Sequence, residues 1–201
     1  AHAISNETFM AGTLKISEGV IDAVRSVITC EPHWLVMGMS AVTFYGGLDG
    51  AKAFPGELED FAPGGVTTGP LPRPAALRGG TRRIAFLSPY SPVANAEVRR
   101  FFEDCGFEVR RDACLQCPSW TAIAEVTEAT LRGALRELDG DDVDAIVQVG
   151  TNMCMARLAG EAERWLGKPV VAINTATYWH GLRGCGIADK VYGYGRLLAE
   201  L

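Results

Sequence analysis

Short apolar runs alternate with amphipathic stretches along most of this chain, and that alternation is typical of strands and helices that follow one another in a parallel sheet. Strands are predicted where the apolar runs are continuous, at 34–38, 83–88, 107–109, 143–149 and 169–173. Helices are predicted where apolar residues recur every three or four positions, at 16–29, 93–105, 127–138, 152–166 and from 174 onward. The 201 residues suffice for one large domain or two small lobes of α/β class.

Residues with special roles at helix ends support these boundaries. Ser17 lies at the start of the predicted helix 16–29 and Thr127 at the start of the predicted helix 127–138. Both are suitable N-caps. Gly106 and Gly167 follow predicted helices, where glycine commonly stops the helix. The Pro-rich segment 69–74 interrupts the rhythm, and it is predicted to be either a bend or a linker between lobes.

Composition excludes several partners. The formal net charge is -5 and no basic stripe is present, so nucleic acid and anionic membrane surfaces are not expected as partners. No apolar run approaches the ~20 residues of a membrane-spanning helix. The start of the chain lacks the pattern of a signal peptide and an initiator Met, so residue 1 is not taken as a native N-terminus.

The six cysteines are interpreted as reduced thiols, which predicts a cytoplasmic protein, because so apolar a chain has no need of a disulfide scaffold. Cys114 and Cys117 form a single C-x-x-C pair, for which a loop position, a metal site and a thiol-redox role are alternatives. No second pair or nearby His accompanies them, and the three histidines are scattered, so no metal site is predicted. Nucleophile-elbow, Walker and Gly-x-Gly-x-x-Gly motifs are absent, which argues against serine-hydrolase chemistry and nucleotide binding.

Ligands of parallel sheets bind beyond the carboxyl ends of the strands. The candidate binding residues are therefore the polar or small residues that follow the predicted strands, namely Gly38, Met39, Ser40, Tyr90, Asn95, Gly150, Thr151 and Asn152. We expect 150–152 to open a helix, so that unpaired N–H groups and the helix dipole hold a carboxylate or an enolate oxygen. An ordinary helix cap is the alternative interpretation.

Cys154 is the candidate proton donor. It shares a helical stripe with Leu158, Ala162 and Trp165, which predicts that its side chain faces inward. A thiol near a helix start can be acidified and act as acid or base. The favoured interpretation is nevertheless a core position, since inward cysteines in apolar stripes usually only pack.

Several motifs in order carry a family resemblance. They are Met37–Ser40 with Thr43–Gly47, Val66–Thr68, Arg82–Ala85 with Pro89, Tyr90 and Asn95, Asp144–Asn152, Glu163–Val171, Tyr178-Trp179 and Gly193–Leu197. With these motifs the chain resembles the arylmalonate decarboxylase and maleate cis-trans isomerase branch of the aspartate/glutamate racemase superfamily.

The resemblance implies two pseudo-symmetric Rossmann-like lobes with parallel sheets and an active-site cleft between them. The expected first lobe is 1–75, lacking the family's first strand and completed by the region 181–201, and the second lobe is 76–180. Neither a metal nor an organic cofactor is implied, and a homo-oligomer is expected. Ser40, Tyr90, Asn95 and the amides of 150–152 are implied as donors to substrate, while the family's usual cysteine positions fall at 38–39 and at Gly150.

The predicted function is a cofactor-independent lyase or isomerase that acts on a small mono- or dicarboxylic acid through an enolate-type intermediate. A decarboxylase-like route is favoured, with the final proton from water or, as second choice, from Cys154. A non-catalytic protein that binds a small carboxylate is the alternative, because the usual active-site cysteines are missing.

Overall fold

The computed structural model describes residues 6–56, 58–68 and 80–201. Its helices are α1 (Asn6–Val27), α2 (Gly47–Gly56), α3 (Pro92–Asp104), α4 (Trp120–Ala124), α5 (Glu128–Leu138), α6 (Ala156–Leu166), α7 (Ile173–Gly184) and α8 (Arg196–Glu200), with single 3-10 turns at Ile28–Cys30, Val42–Phe44 and Glu59–Phe61. Its strands are β1 (Leu35–Val36), β2 (Val66–Thr67), β3 (Arg83–Ser88), β4 (Glu108–Cys114), β5 (Ala145–Gln148) and β6 (Val170–Ala172).

The larger sheet is parallel, with the strand order β4-β3-β5-β6. Its central strand β3 is buried, and successive side chains point to opposite faces. Ile84 and Phe86 join one apolar cluster with α3 and α7, whereas Ala85 and Leu87 join a second cluster with α5 and α6. The continuous apolar pattern of 83–88 therefore reflects a strand that is covered by helices on both faces.

The smaller sheet pairs β1 with β2 in parallel, and α1 covers it through Val20 and Val24. Helix α7 connects the two sheets: it starts at the end of β6 and packs on β1 and β2. There the Thr67 hydroxyl lies 2.8 Å from His180 Nδ1 and accepts a hydrogen bond of 2.8 Å from Trp34 Nε1. The predicted α/β fold with two lobes and parallel sheets is confirmed.

Most elements of the second lobe lie where the sequence predicts them. Strand β3 matches the predicted 83–88, and Thr127 caps α5 by accepting a hydrogen bond of 3.2 Å from the Thr130 amide. Gly106 and Gly167 follow α3 and α6 with φ of 85° and 70°. The left-handed backbone at both positions explains why glycine ends these helices.

Three boundaries in the described part of the chain differ from prediction. Helix α1 begins at Asn6, so Ser17 lies inside it and is not an N-cap. Strand β1 has only two residues, and Val36 is 52% exposed, so the predicted buried strand 34–38 is wrong in length and burial. Strand β4 runs to Cys114, whereas the prediction ended it at residue 109. The prediction was too short because β4 is an edge strand, which tolerates charged residues, and those residues hide its apolar pattern.

The predicted helix start at residues 150–152 is also wrong. Residues 150–153 form a turn, with a hydrogen bond of 3.1 Å from the Met153 amide to the Gly150 carbonyl, and α6 starts only at Ala156. The intervening Met153 and Met155 are each 1% exposed. Both methionines pack into the second apolar cluster, and the helix begins only after them.

The predicted lobe boundary near residue 75 and the Pro-rich segment 69–74 lie outside the described residues, so the proposed division of the chain stays a prediction. None of the described helices is long and apolar enough to cross a membrane.

Candidate active site

A cavity of about 250 Å³ opens at the carboxyl ends of β1, β3 and β5. It is lined by Gly38, Met39, Ser40, Ala41, Tyr90, Trp120, Ile123, Gly150, Thr151 and Asn152. The cavity lies below the ~300–1,000 Å³ typical of sites for drug-sized ligands, so its size suits a small organic molecule. It brings together all the predicted substrate-binding residues except Asn95.

The two lobes meet in this cavity through a pair of hydroxyl groups. The Oγ of Ser40, in the loop after β1, lies 2.9 Å from the hydroxyl oxygen of Tyr90, which follows β3. Their exposed fractions are only 1% and 4%. The Ser40 carbonyl also accepts a 2.9 Å hydrogen bond from the Thr43 hydroxyl, which holds the loop in place.

Burial raises the pKa of the Tyr90 phenol above its ordinary value, and the hydrogen bond with Ser40 lowers it to a smaller extent. The phenol therefore stays protonated at neutral pH. It is suited to donate a hydrogen bond to an anionic oxygen and unsuited to act as a base.

Gly150 lines the cavity beside Pro89 and Tyr90, with φ of 95°. A Cβ at this position would lie 2.6 Å from Cγ and Cδ of Pro89 and 3.8 Å from the Tyr90 hydroxyl oxygen. Residue 150 is therefore a glycine for two local reasons, its left-handed backbone and the Pro89 ring. A thiol, which the resemblance places here, would not fit without a shift of the Pro89 loop.

The turn after Gly150 is tied to neighbouring elements by side-chain amides. Asn152 donates a 2.7 Å hydrogen bond to the Trp120 carbonyl, and Asn174 donates one of 2.8 Å to the Thr151 carbonyl. The backbone N–H groups of Thr151 and Asn152 donate no hydrogen bond within 6–56, 58–68 and 80–201. Both amides are thus available to a ligand.

Trp120 and Ile123 are lining residues that the sequence analysis missed. Both belong to α4. Ser119 is the N-cap of this helix, and its side chain accepts a 3.1 Å hydrogen bond from the Ala122 amide. They were missed because β4 was predicted to end at residue 109, which placed its carboxyl end too early. Ser119 as an N-cap just after a loop is the signal that could have located them.

Asn95 lies outside the cavity lining. It is buried, its Oδ1 accepts a hydrogen bond from Ser88 Oγ, and its Nδ2 donates one to Asp112. Asp112 is in turn paired with Arg99. Asn95 thus supports the loop that carries Tyr90 rather than facing the cavity.

Cys154 is also absent from the lining, and its predicted inward orientation is wrong: the residue is exposed. It precedes α6 between the buried residues Met153 and Met155, which pack into the second apolar cluster while Cys154 stays exposed. Cys114 and Cys117 are free thiols whose pKa is raised by burial, and the Cys114 thiol donates to the Tyr90 carbonyl at 3.0 Å. In the described ranges no group of three or more His, Cys, Asp and Glu side chains is placed to hold a metal ion.

Parallel sheets that meet at a small pocket of neutral hydrogen-bond donors define a two-lobed α/β protein with a candidate site in that pocket. The sequence model of the arylmalonate decarboxylase family matches residues 14–198, so the chain belongs to that family.

Curated relatives and solved structures agree with this assignment. The chain is 30% identical to the maleate isomerase of Pseudomonas putida over 119 residues, and 30% identical to that of Nocardia farcinica over 120 residues. Each match covers 59% of this chain and 48% of the relative, so the chain spans about half the length of the curated relatives it matches.

Among solved structures, a maleate cis-trans isomerase variant of Nocardia farcinica with a covalently bound succinylcysteine intermediate matches with a TM-score of 0.88 at 23% identity, covering 100% of this chain and 83% of that one. A variant of arylmalonate decarboxylase in the liganded form matches with a TM-score of 0.86 at 25% identity, covering 99% and 85%.

Proposed function

We propose that this protein is a cofactor-independent lyase or isomerase of small carboxylic acids, with decarboxylation of a malonate-type diacid as the favoured reaction. The observation that carries the proposal is the buried Ser40–Tyr90 hydroxyl pair in the same cavity as the open amides of Thr151 and Asn152. The family membership and the maleate isomerase and arylmalonate decarboxylase relatives support the same reaction class.

The neutral donors determine how a diacid would react here. One carboxylate accepts one hydrogen bond from the hydroxyl pair, whose other proton lies between the two oxygens, and further bonds from the turn amides. The other carboxylate lies against the less polar wall of Met39, Trp120 and Ile123. The bond from the α-carbon to this second carboxylate breaks, carbon dioxide leaves, and the electron pair delocalises into the retained carboxylate as an enediolate. Fixed donors stabilise the added negative charge on these oxygens.

The last step is protonation of the α-carbon. No cysteine is among the lining residues in the described chain, so we propose that solvent water supplies this proton. The same lining argues against a route through a cysteine adduct, for which a thiol must reach the substrate carbon.

Proton NMR in deuterated water with maleate and with substituted malonates tests the proposal. We expect loss of carbon dioxide from a malonate and deuterium at the α-carbon of the product. If no substrate is decarboxylated or isomerised and no carbon acid exchanges with solvent, the proposal is wrong.

Two hydroxyl deletions link the reaction to the cavity. Ser40→Ala and Tyr90→Phe are each expected to lower kcat by about a hundredfold, because one hydroxyl of the pair donates to the developing oxyanion and the other holds it in place through the 2.9 Å bond between them. Matched controls are Ser26→Ala, whose hydroxyl is exposed on α1, and Tyr192→Phe, which is 73% exposed. Equal rates for the cavity variants and the controls would remove the assigned roles.

We propose that the protein acts in the cytoplasm. All six cysteines are free thiols, which suits a reducing compartment. The expected homo-oligomer stays a prediction.

A further inference from the structure

Three consecutive carbonyl oxygens of the turn after β5 are bound by side-chain amides. Gln148 Nε2 donates to the carbonyls of Val149 and Gly150, at 2.6 and 2.9 Å. Asn174 Nδ2 donates to the carbonyl of Thr151 at 2.8 Å. All three neighbours are acceptors, so the nitrogen of each amide must face the turn.

These bonds decide where the N–H groups of the turn point. In a planar trans peptide, the carbonyl of one residue and the N–H of the next point in opposite directions. The described chain contains no cis peptide. The N–H groups of Gly150, Thr151 and Asn152 therefore point away from Gln148 and Asn174, and the same three residues line the cavity.

We infer that Gln148 and Asn174 are positioning residues that aim these three N–H groups at an anionic oxygen of the ligand. The inference rests on the proposed function and deepens it, since it names what orients the donors in place of a helix dipole. Gln148 is 1% exposed in a strand whose other residues are apolar. Burying an amide there is unfavourable unless it is hydrogen-bonded, and both of its bonds go to this turn.

Malonate titration followed by amide proton–nitrogen NMR tests the inference without turnover. In the wild-type protein, malonate is expected to shift the amide protons of Gly150, Thr151 and Asn152 downfield. Gln148→Met keeps the side-chain length and removes the donor, and Asn174→Ala removes the donor at an exposed position. Each is expected to weaken malonate binding about tenfold or more and to reduce these shifts, and kcat is expected to fall by up to about a hundredfold.

Lys168→Met is the matched control for lost carbonyl contacts. The Lys168 ammonium donates to the carbonyls of Gly140 and Val143 at 2.8 and 2.9 Å, near the start of β5 rather than its end. The control is expected to lose stability but to keep malonate affinity and the three amide shifts. This separates aiming of the donors from a general loss of stability.

The inference is overturned if the wild-type protein fails to bind malonate or binds it without shifting these amides. It is also overturned if Gln148→Met and Asn174→Ala both bind malonate as the wild type does. If Gln148→Met does not fold, Asn174→Ala alone decides. Weakened binding in the variants, together with no turnover of any substrate, would uphold the inference and reject the proposed reaction. Turnover of a substrate, together with normal amide shifts in the variants, would support the proposed reaction and reject the inference.

Discussion

Replacing Gly150 by alanine adds one methyl group at the most constrained point of the cavity wall. The backbone there has φ of 95°, which an L-residue adopts at a cost of about 1–3 kcal/mol. The new Cβ would meet Cγ and Cδ of Pro89 at 2.6 Å, well inside van der Waals contact. Overpacking of this kind costs about 1–3 kcal/mol.

Together these effects lower the free energy of unfolding by roughly 2–6 kcal/mol. For a chain of this length, that corresponds to a fall in Tm on the order of 10 °C. Urea denaturation and thermal melting followed by circular dichroism measure both quantities. The methyl group would also lie 3.8 Å from the Tyr90 hydroxyl oxygen, so malonate affinity is expected to fall as well.

Gly133→Ala is the control for this substitution. Gly133 lies within α5, and a Cβ there would meet nothing within 4 Å. Alanine favours the helix, so we expect a gain of about 0.5–1 kcal/mol. If Gly150→Ala unfolds with the wild-type free energy while Gly133→Ala gains stability as expected, the strain and contact assigned to Gly150 are wrong.

Two further predictions concern stability and its pH dependence. Asp144 accepts hydrogen bonds from the Arg83 guanidinium and from the amides of residues 82 and 83. These bonds hold the pKa of its carboxyl below the ordinary value. Asp144→Asn is therefore expected to lower the free energy of unfolding by about 1 kcal/mol at neutral pH. This contribution is present above the unfolded pKa of about 4 and is lost as pH falls toward the folded pKa, so the unfolding free energies of variant and wild type should converge in acid. The control Asp141→Asn, at an exposed position, should match wild type at neutral pH. Burial lowers the pKa of His180, so the unfolded chain takes up a proton near pH 6.5 that the folded chain resists, and stability should fall as pH drops through about 6.5. His180→Gln should flatten that part of the Tm-against-pH curve. The control is His33→Gln, at an exposed position. If the slope of His180→Gln equals that of the wild type, the assignment is wrong.

How far the site could be predicted depended on how closely each residue follows a strand. Ser40, Tyr90 and Gly150 were found because a parallel sheet brings the carboxyl ends of its strands to one edge. Trp120 was missed because β4 carries Arg110, Arg111 and Asp112, whose charges hide the strand in the sequence. As an edge strand, β4 can keep those charges at the surface, where Arg110 and Arg111 pair with Asp142.

The sequence by itself determined the α/β class, the central strand β3 and the residues that follow the strands, because hydrophobic period and glycine or proline positions are local properties. Tertiary structure decided what the turn at 150–153 does. The expected helix dipole is absent there, and Gln148 and Asn174 orient the amides through contacts that depend on folding. The exposure of Cys154 was also decided by tertiary structure, since its neighbours Met153 and Met155 are the residues that pack into the core.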